Sequence, residues 1–318
     1  MSLLDTRQRL TPYEYPQFAE AHNAVMHSPW SPYEVAMSAD VADWHNISEA
    51  ERSTIAGILM GFTLQEAGIG CYWRNIVANT FAKPEIINMA TAFSAQEAIH
   101  ARAYAHLEDT LGLNTYDAFK QDAQAIAKLE PFFEPKANLA TSLAIFSGAG
   151  EGVSLYASFA ILLSFAKLGK FKGMQQILSW SVLDEELHSK MGIELYKLLI
   201  AEYPEEKLNM QDIYDAFELI VKNEQCFIYQ AFSNGDLPSI TLEQAQDFVY
   251  YRANKKLMEL GLQPIYTLSG AYLTIKQFFD TMILGKTMND FFSQSRNGSS
   301  YSAILTQDFK SAICQVLL

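Results

Sequence analysis

A chain of 318 residues, 49% of them hydrophobic, is long enough to bury a sizeable core in one large domain or two. Its net charge of -13, without any run of Lys or Arg, excludes non-specific binding to nucleic acid or to an anionic membrane surface. The three cysteines, Cys71, Cys226 and Cys314, are scattered, odd in number and without CxxC spacing; they exclude a disulfide framework or a thiolate metal site and fit a reducing cytosol.

The opening residues Met-Ser-Leu-Leu-Asp-Thr-Arg have no signal-peptide character, and no regulatory domain is expected before residue 30. Ile55, Leu59, Phe62, Leu64, Ile69, Trp73 and Ile76 recur at helical spacing and predict a helix over 48–80. Ser48 followed by Glu51 reads as its capping box. Pro84 suits the first turn of the next helix, which runs to about Leu111 and is ended by Gly112 and Asn114. A shorter helix is expected at 115–129, stopped before Pro131. Residues 136–168 are long and apolar. Their most apolar stretch, Leu155 to Ala166, is too short to span a bilayer and reads as a buried helix. Gly148, Gly150 and Gly152, in the middle of residues 136–168, predict a break, a kink or a close helix approach. Further helices are expected at 172–202, ended by Pro204, and at 210–233, 241–260 and 270–284.

Strand alternation is weak throughout and no linker or repeat divides the chain, so the expected fold is all-α, with one helical domain over 1–288. From Asn289 the composition turns polar and rich in Gly and Ser, and from Thr306 to Leu318 apolar residues return. That pattern fits either a partner-binding tail or a frayed terminus.

One spacing occurs twice: Glu97-Ala-Ile-His100 and Glu185-Glu-Leu-His188. On a helix, three residues place a carboxylate and an imidazole on one face, about one turn apart. Two such pairs, joined by one glutamate from each of two further helices, form the general inward-facing ligand set of dinuclear carboxylate bundles. Glu66 and Glu151 are the candidates for the two additional carboxylates, since each sits in an apolar helix where an unpaired charge is costly. Four carboxylates nearly neutralise two divalent ions, and the imidazoles add nitrogen ligands that iron and manganese accept. Singly, each feature has a plainer reading. An ExxH pair is more often solvated, Glu66 stands beside polar Gln65, and Glu151 could be a helix-start carboxylate favoured by the dipole; the set is what points to metal. Tyr104, four residues after His100, shares the ligand face. A phenol there could lose one electron to an oxidised metal pair, or could simply pack, as one of 16 tyrosines.

Gln96-Glu-Ala-Ile-His-Ala-Arg-Ala-Tyr104 and Leu183-Asp-Glu-Glu-Leu-His188 resemble the signature helices of the small, radical-generating subunit of class I ribonucleotide reductase. The likeness extends over most of the chain. Trp30-Ser-Pro-Tyr-Glu-Val35 is similar to that family's N-terminal tryptophan segment, and Glu151-Gly-Val-Ser-Leu-Tyr to its third ligand helix. Tyr251-Arg-Ala-Asn254 through Tyr266 resembles a late helix, and Asp290-Phe-Phe-Ser through Tyr301 the start of its C-terminal tail. The separations of 31 residues from Glu66 to Glu97 and of 34 from Glu151 to Glu185 also match. The resemblance implies a ferritin-like bundle holding two metal ions per chain. Glu66, Glu97 and His100 would bind one, and Glu151, Glu185 and His188 the other. Iron–iron is the first expectation, while manganese–manganese and manganese–iron forms share nearly the same set.

It further implies that Tyr104 holds a stable radical and that Trp30, Asp184 and His100 begin an electron path. Tyr301 would relay the radical to the catalytic large subunit, on which the extreme C-terminus docks. The chain would then be the small subunit of a ribonucleoside-diphosphate reductase, an oxidoreductase active only with the large subunit. It would be cytoplasmic and homodimeric, and could be served by a flavodoxin-like activator. Departures from the family pattern are Glu66, where many members have Asp, Leu155, where an aromatic is common, and a tail without an acidic run. The same six residues would also suit a stand-alone di-metal oxidase of an apolar substrate or a metal-storage bundle. A metal-free interaction protein would leave six polar groups unpaired in apolar helices.

Overall fold

The computed structural model describes residues 2–113, 138–204 and 209–281. Among them there is no strand. The expected helix at 115–129 and the tail from 289 lie outside the described residues.

Two short helices, α1 (Pro16–His27) and α2 (Ser38–His45), precede the first long one, α3 (Glu49–Tyr72). The capping box at the start of α3 forms as its sequence predicts: the Ser48 hydroxyl accepts from the Glu51 amide, and the Glu51 carboxylate accepts from the Ser48 amide. Beyond Tyr72 the chain widens into a π turn, Trp73–Val77. Pro84 opens α4 (Pro84–Leu111), and Gly112, at φ 70°, closes it in the left-handed conformation that glycine adopts without strain. α3 and α4 pack along their lengths.

The glycine-rich segment is broken, as expected. α5 (Leu139–Ala144) runs into a π turn, Ile145–Gly150, one further helical turn, Glu151–Val153, and then α6 (Tyr156–Ser164). The glycines permit close approach: a Cβ at Gly148 would lie 2.7 Å from Leu260. The 30-residue helical run Leu139–Leu168 is long and apolar enough to cross a membrane by composition, as is Glu49–Thr80. Length therefore does not exclude a span, contrary to the expectation from Leu155 to Ala166. Burial identifies a core helix, because 94% of the run's most apolar window is covered by the rest of the protein.

α7 (Lys172–Glu202) is the longest helix described. Its N-terminus is capped from α2, where the Asp40 carboxylate accepts from the Gly173 and Met174 amides at 2.9 and 2.7 Å. α8 (Met210–Ala231), α9 (Leu242–Glu259) and a last helix, α10 (272–281), complete the described fold. A single apolar core runs through it, including Ile58, Phe62, Phe93, Leu143, Phe159 and Ile177. α3, α4, α7 and the glycine-rich run surround the point where the ExxH pairs converge.

Candidate metal centre

The four helical segments bring six side chains into one buried cluster. Glu66 projects from α3, Glu97 and His100 from α4, Glu151 from the turn after the π segment, and Glu185 and His188 from α7; all are at most 1% exposed. Ligand atoms of Glu66, Glu97, His100 and Glu185 lie within 4.8 Å of one another, and so do those of Glu97, Glu151, Glu185 and His188. Glu97 and Glu185 belong to both groups. The sequence reading gives each to one ion, whereas the geometry sets both between two adjoining positions.

Both imidazoles turn Nδ1 inward. Nδ1 of His100 is 2.9 Å from Glu185 and 3.2 Å from Glu97; Nδ1 of His188 is 2.7 Å from Glu97. Each Nε2 faces outward to an acceptor, Asp184 at 3.1 Å for His100 and Gln96 at 2.9 Å for His188. An outward N–H bond of this kind fixes the tautomer that leaves Nδ1 free to ligate.

The residues fit a pair of hard or borderline divalent ions. Both oxygens of Glu66 and of Glu185, one each of Glu97 and Glu151, and Nδ1 of His188 are buried without a hydrogen-bond partner among the described residues. The short contacts between them bring lone pairs toward a shared point and lack hydrogen-bond alignment. Orphaned acceptors at this density are costly unless cations occupy the space between them.

Protonation follows the same logic. Burial pushes the Glu66 carboxyl well above its usual range, and the neighbouring Glu97 and Glu185 charges add to the rise. Glu151 is raised chiefly by burial, with His188 opposing. For Glu97 burial would do the same, but His188 and His100 outweigh it and its pKa falls. Burial alone would lower both imidazoles; the Glu97 charge and the bonds to Asp184 and Glu185 raise His100, while Glu97, Glu185 and Glu151 raise His188. Without metal, protons occupy the cluster.

Tyr104 is fully buried one turn beyond His100, with ring centroids 6.4 Å apart, and packs on Phe62 at 4.8 Å. Its hydroxyl has no hydrogen-bond partner among the described residues; the nearby Ser181 hydroxyl donates to the Ile177 carbonyl instead. Burial and the Glu66 charge hold the phenol pKa well above its ordinary value. Half-buried Trp30 donates from Nε1 to Asp184 at 2.9 Å, so Trp30, Asp184 and His100 form one continuous chain of hydrogen bonds. Tyr301 lies outside the described residues. A cavity of about 680 Å³ is lined by Glu66 and Glu97 together with Gly70, Ser94 and the exposed Arg74 and Arg102.

Two partners of the cluster escape the sequence reading. Trp73, read there as an apolar helix position, donates its indole N–H to Glu151. Gln96 holds His188 across two helices. The only sequence signal for Gln96 is its place beside Glu97; Trp73 carries none, because its aim depends on the π turn.

The family model described as ribonucleotide reductase, small chain, matches residues 7–271. A probable ribonucleoside-diphosphate reductase small subunit of Invertebrate iridescent virus 3 is 31% identical over 294 residues, covering 84% of this chain and 78% of its own length. Among solved structures, the R2 subunit of ribonucleotide reductase from Clostridium botulinum superposes with a TM-score of 0.77 at 18% identity, covering 87% of this chain and 94% of that one. The dimanganese(II) NrdF of Streptococcus sanguinis does so at 0.74 and 18% identity, covering 88% and 99%.

Proposed function

Because this chain belongs to the ribonucleotide reductase small-chain family, we propose that it stores an oxidising equivalent in its core and passes it to a catalytic large subunit that reduces ribonucleoside diphosphates. Residues 1–288 form the helical body in this reading, and residues 289–318 a tail that docks on the large subunit and carries Tyr301 as relay. Glu66, Glu97, His100, Glu151, Glu185 and His188 hold two metal ions per chain, as iron–iron, manganese–manganese or manganese–iron. Bound there, the metal pair supplies oxidising power drawn from dioxygen or a reduced oxygen species.

This chain's own residues do the rest. Glu97 and Glu185, shared by both ligand groups, hold the two positions at a fixed separation. Tyr104 is placed to give up one electron, and its burial among Phe62 and other apolar groups keeps water and reductants from the resulting radical. Asp184 accepts from both Trp30 and His100 and so joins the cluster to a half-buried indole. That bridge is the observation that carries the reading: a stand-alone oxidase or a storage bundle has no use for a tryptophan wired to a ligand histidine. Homodimerisation, a flavodoxin-like activator and a cytoplasmic setting belong to the same proposal.

The test is electron paramagnetic resonance on metal-free protein loaded anaerobically with ferrous iron and then exposed to oxygen. A tyrosyl signal that vanishes in Tyr104→Phe supports the reading. Failure to form a radical with iron, with manganese and with both, under oxygen or superoxide, would favour an oxidase or a storage protein.

A further inference from the structure

A second buried polar cluster stands behind the metal ligands, built on α9. The Arg252 guanidinium, 5% exposed, donates from Nε and Nη2 to the Gly152 carbonyl at 3.1 and 2.9 Å, and from Nη2 to Glu186 at 2.8 Å. Gly152 follows Glu151 and Glu186 follows Glu185, so one side chain grips the residue beside each of two cluster carboxylates. The Tyr156 hydroxyl donates to the same Glu186 oxygen at 2.6 Å, and Arg252 stacks 3.5 Å above the Tyr156 ring. Lys256, fully buried, and Lys255 approach the other Glu186 oxygen at 3.4 and 3.1 Å.

The geometry has a backbone cause. The turn Glu151–Val153 ends before α6 begins at Tyr156, and the last carbonyls of a helix lack intrahelical donors. Arg252 supplies the missing donors at Gly152. Glycine is needed there because α9 lies so close: a Cβ at position 152 would meet Lys256 carbons at 2.7 to 2.9 Å. A planar fork that satisfies a carbonyl and a carboxylate together is what distinguishes arginine from lysine.

We propose that Arg252 is a positioning residue for the half of the metal centre made by Glu151, Glu185 and His188, holding Glu151 and Glu185 at a separation that accepts the second ion. The inference rests on the metal-centre reading above and extends it to a residue that touches no ligand side chain. Loss of this grip weakens the second ion more than the first, because both Glu151 and Glu185 of the second group stand beside residues that Arg252 bonds, whereas in the first group only the shared Glu185 does.

The test is a titration of metal-free protein with manganese(II), following free manganese(II) by electron paramagnetic resonance, for wild type and for the double variant Arg252→Met with Glu186→Leu. The double variant removes one charge of each sign; buried Lys256 loses its contact with Glu186 but keeps Glu259 at 2.9 Å, and circular dichroism reports whether the fold persists. Wild type should bind two ions. The double variant should lose about 10- to 100-fold on one ion and clearly less on the other, and at concentrations that fill only the tighter position give the spectrum of an isolated ion in place of a coupled pair. Should the double variant lose helicity, Arg252→Lys replaces it: the charge beside Glu186 stays, the fork at Gly152 goes, and the same selective loss is expected. Two ions bound with wild-type affinities in the folded variant overturn the role of Arg252. Fewer than two ions in wild type overturn the metal-centre reading itself, and this inference with it.

Discussion

Trp30 and Asp184 are joined by one hydrogen bond, Nε1 to Oδ2 at 2.9 Å, and the same carboxylate oxygen lies 3.1 Å from Nε2 of His100. The two neighbours of Asp184 should separate on mutation. Trp30→Phe removes the indole N–H and leaves His100 held, so metal content and radical yield should match wild type while turnover with the large subunit is lost. Asp184→Ala frees the His100 tautomer and should also weaken metal binding by about 10- to 100-fold. Metal analysis, radical quantitation and a coupled reductase assay on the same preparations check both. Full turnover by Trp30→Phe would remove the electron path from the mechanism.

Glu66 contributes two buried oxygens without partners among the described residues. In the metal-free protein such groups are a burden, since an unsatisfied buried acceptor costs about 1–3 kcal/mol. Glu66→Met keeps the volume and discards the polar atoms. It should raise the stability of the metal-free protein by about that amount and reduce the gain in stability that manganese(II) gives wild type. Urea unfolding with and without the metal reads both. A metal-free interaction protein predicts no metal-dependent gain in either form.

Much of this centre is legible in the sequence because its information is local. The two ExxH spacings need only a helix to bring Glu97 to His100 and Glu185 to His188, and Ser48 with Glu51, or Pro84 with Gly112, announce helix ends through contacts within four residues. Glu66 and Glu151 stand out because a charge in an apolar helix demands a partner. What the sequence hides depends on how helices meet. The sharing of Glu97 and Glu185 between two positions follows from the approach of α4 to α7. The bond from Trp73 to Glu151 requires the π turn to rotate the indole inward. Arg252 is separated from Gly152 by 100 residues, and no periodicity relates them. The kink at the glycine cluster was legible as a break, but its form, a π turn followed by a single helical turn, reflects packing against Phe217, Leu260 and Lys256.

The pKa directions in the cluster fix the sign of its pH dependence. Glu66, Glu151, His100 and His188 are raised in the folded, metal-free protein. A group with a raised folded pKa contributes stability that is present below its unfolded value, about 4.3 for Glu and 6.5 for His, and lost as pH rises through the folded value. The metal-free protein should therefore lose stability on going from about pH 6.5 upward through the elevated histidine range. Glu97 has the opposite sign: its contribution is present above about pH 4.3 and lost as pH falls through its depressed folded value. Metal must displace the protons, so its binding should release protons and tighten as pH rises. Thermal unfolding from about pH 6.5, the ordinary histidine value, upward should show the metal-free and manganese-loaded curves diverging. Parallel curves would mean that the cluster does not exchange protons for metal.

Gly192 on α7 sets how closely that helix lies on the π turn that carries Ser147. A Cβ at position 192 would fall 1.9 Å from the Ser147 hydroxyl oxygen and 2.6 Å from its Cβ, with the edge of the Trp73 ring at 3.4 Å. Rotating the serine side chain moves Oγ but not Cβ, so the clash is relieved only by parting the two segments. The Ser189 hydroxyl, one turn earlier, donates to the Ser147 carbonyl at 2.6 Å and resists that parting. Gly192→Ala should thus destabilise the protein by about 1–3 kcal/mol through overpacking, even though alanine is the better helix former. Ser147→Gly removes the obstructing Cβ, so in the double variant the cost of Gly192→Ala should shrink, with a coupling energy of about 0.5–3 kcal/mol for residues in contact. Trp73 touches the same space and donates to Glu151, so Gly192→Ala should also weaken manganese(II) binding, and the double variant should recover it. A double-mutant cycle in urea, with metal titrations on the same four proteins, measures both couplings. Additive costs would show that α7 has room to move, and that the spacing of Glu151 and Glu185 is fixed elsewhere.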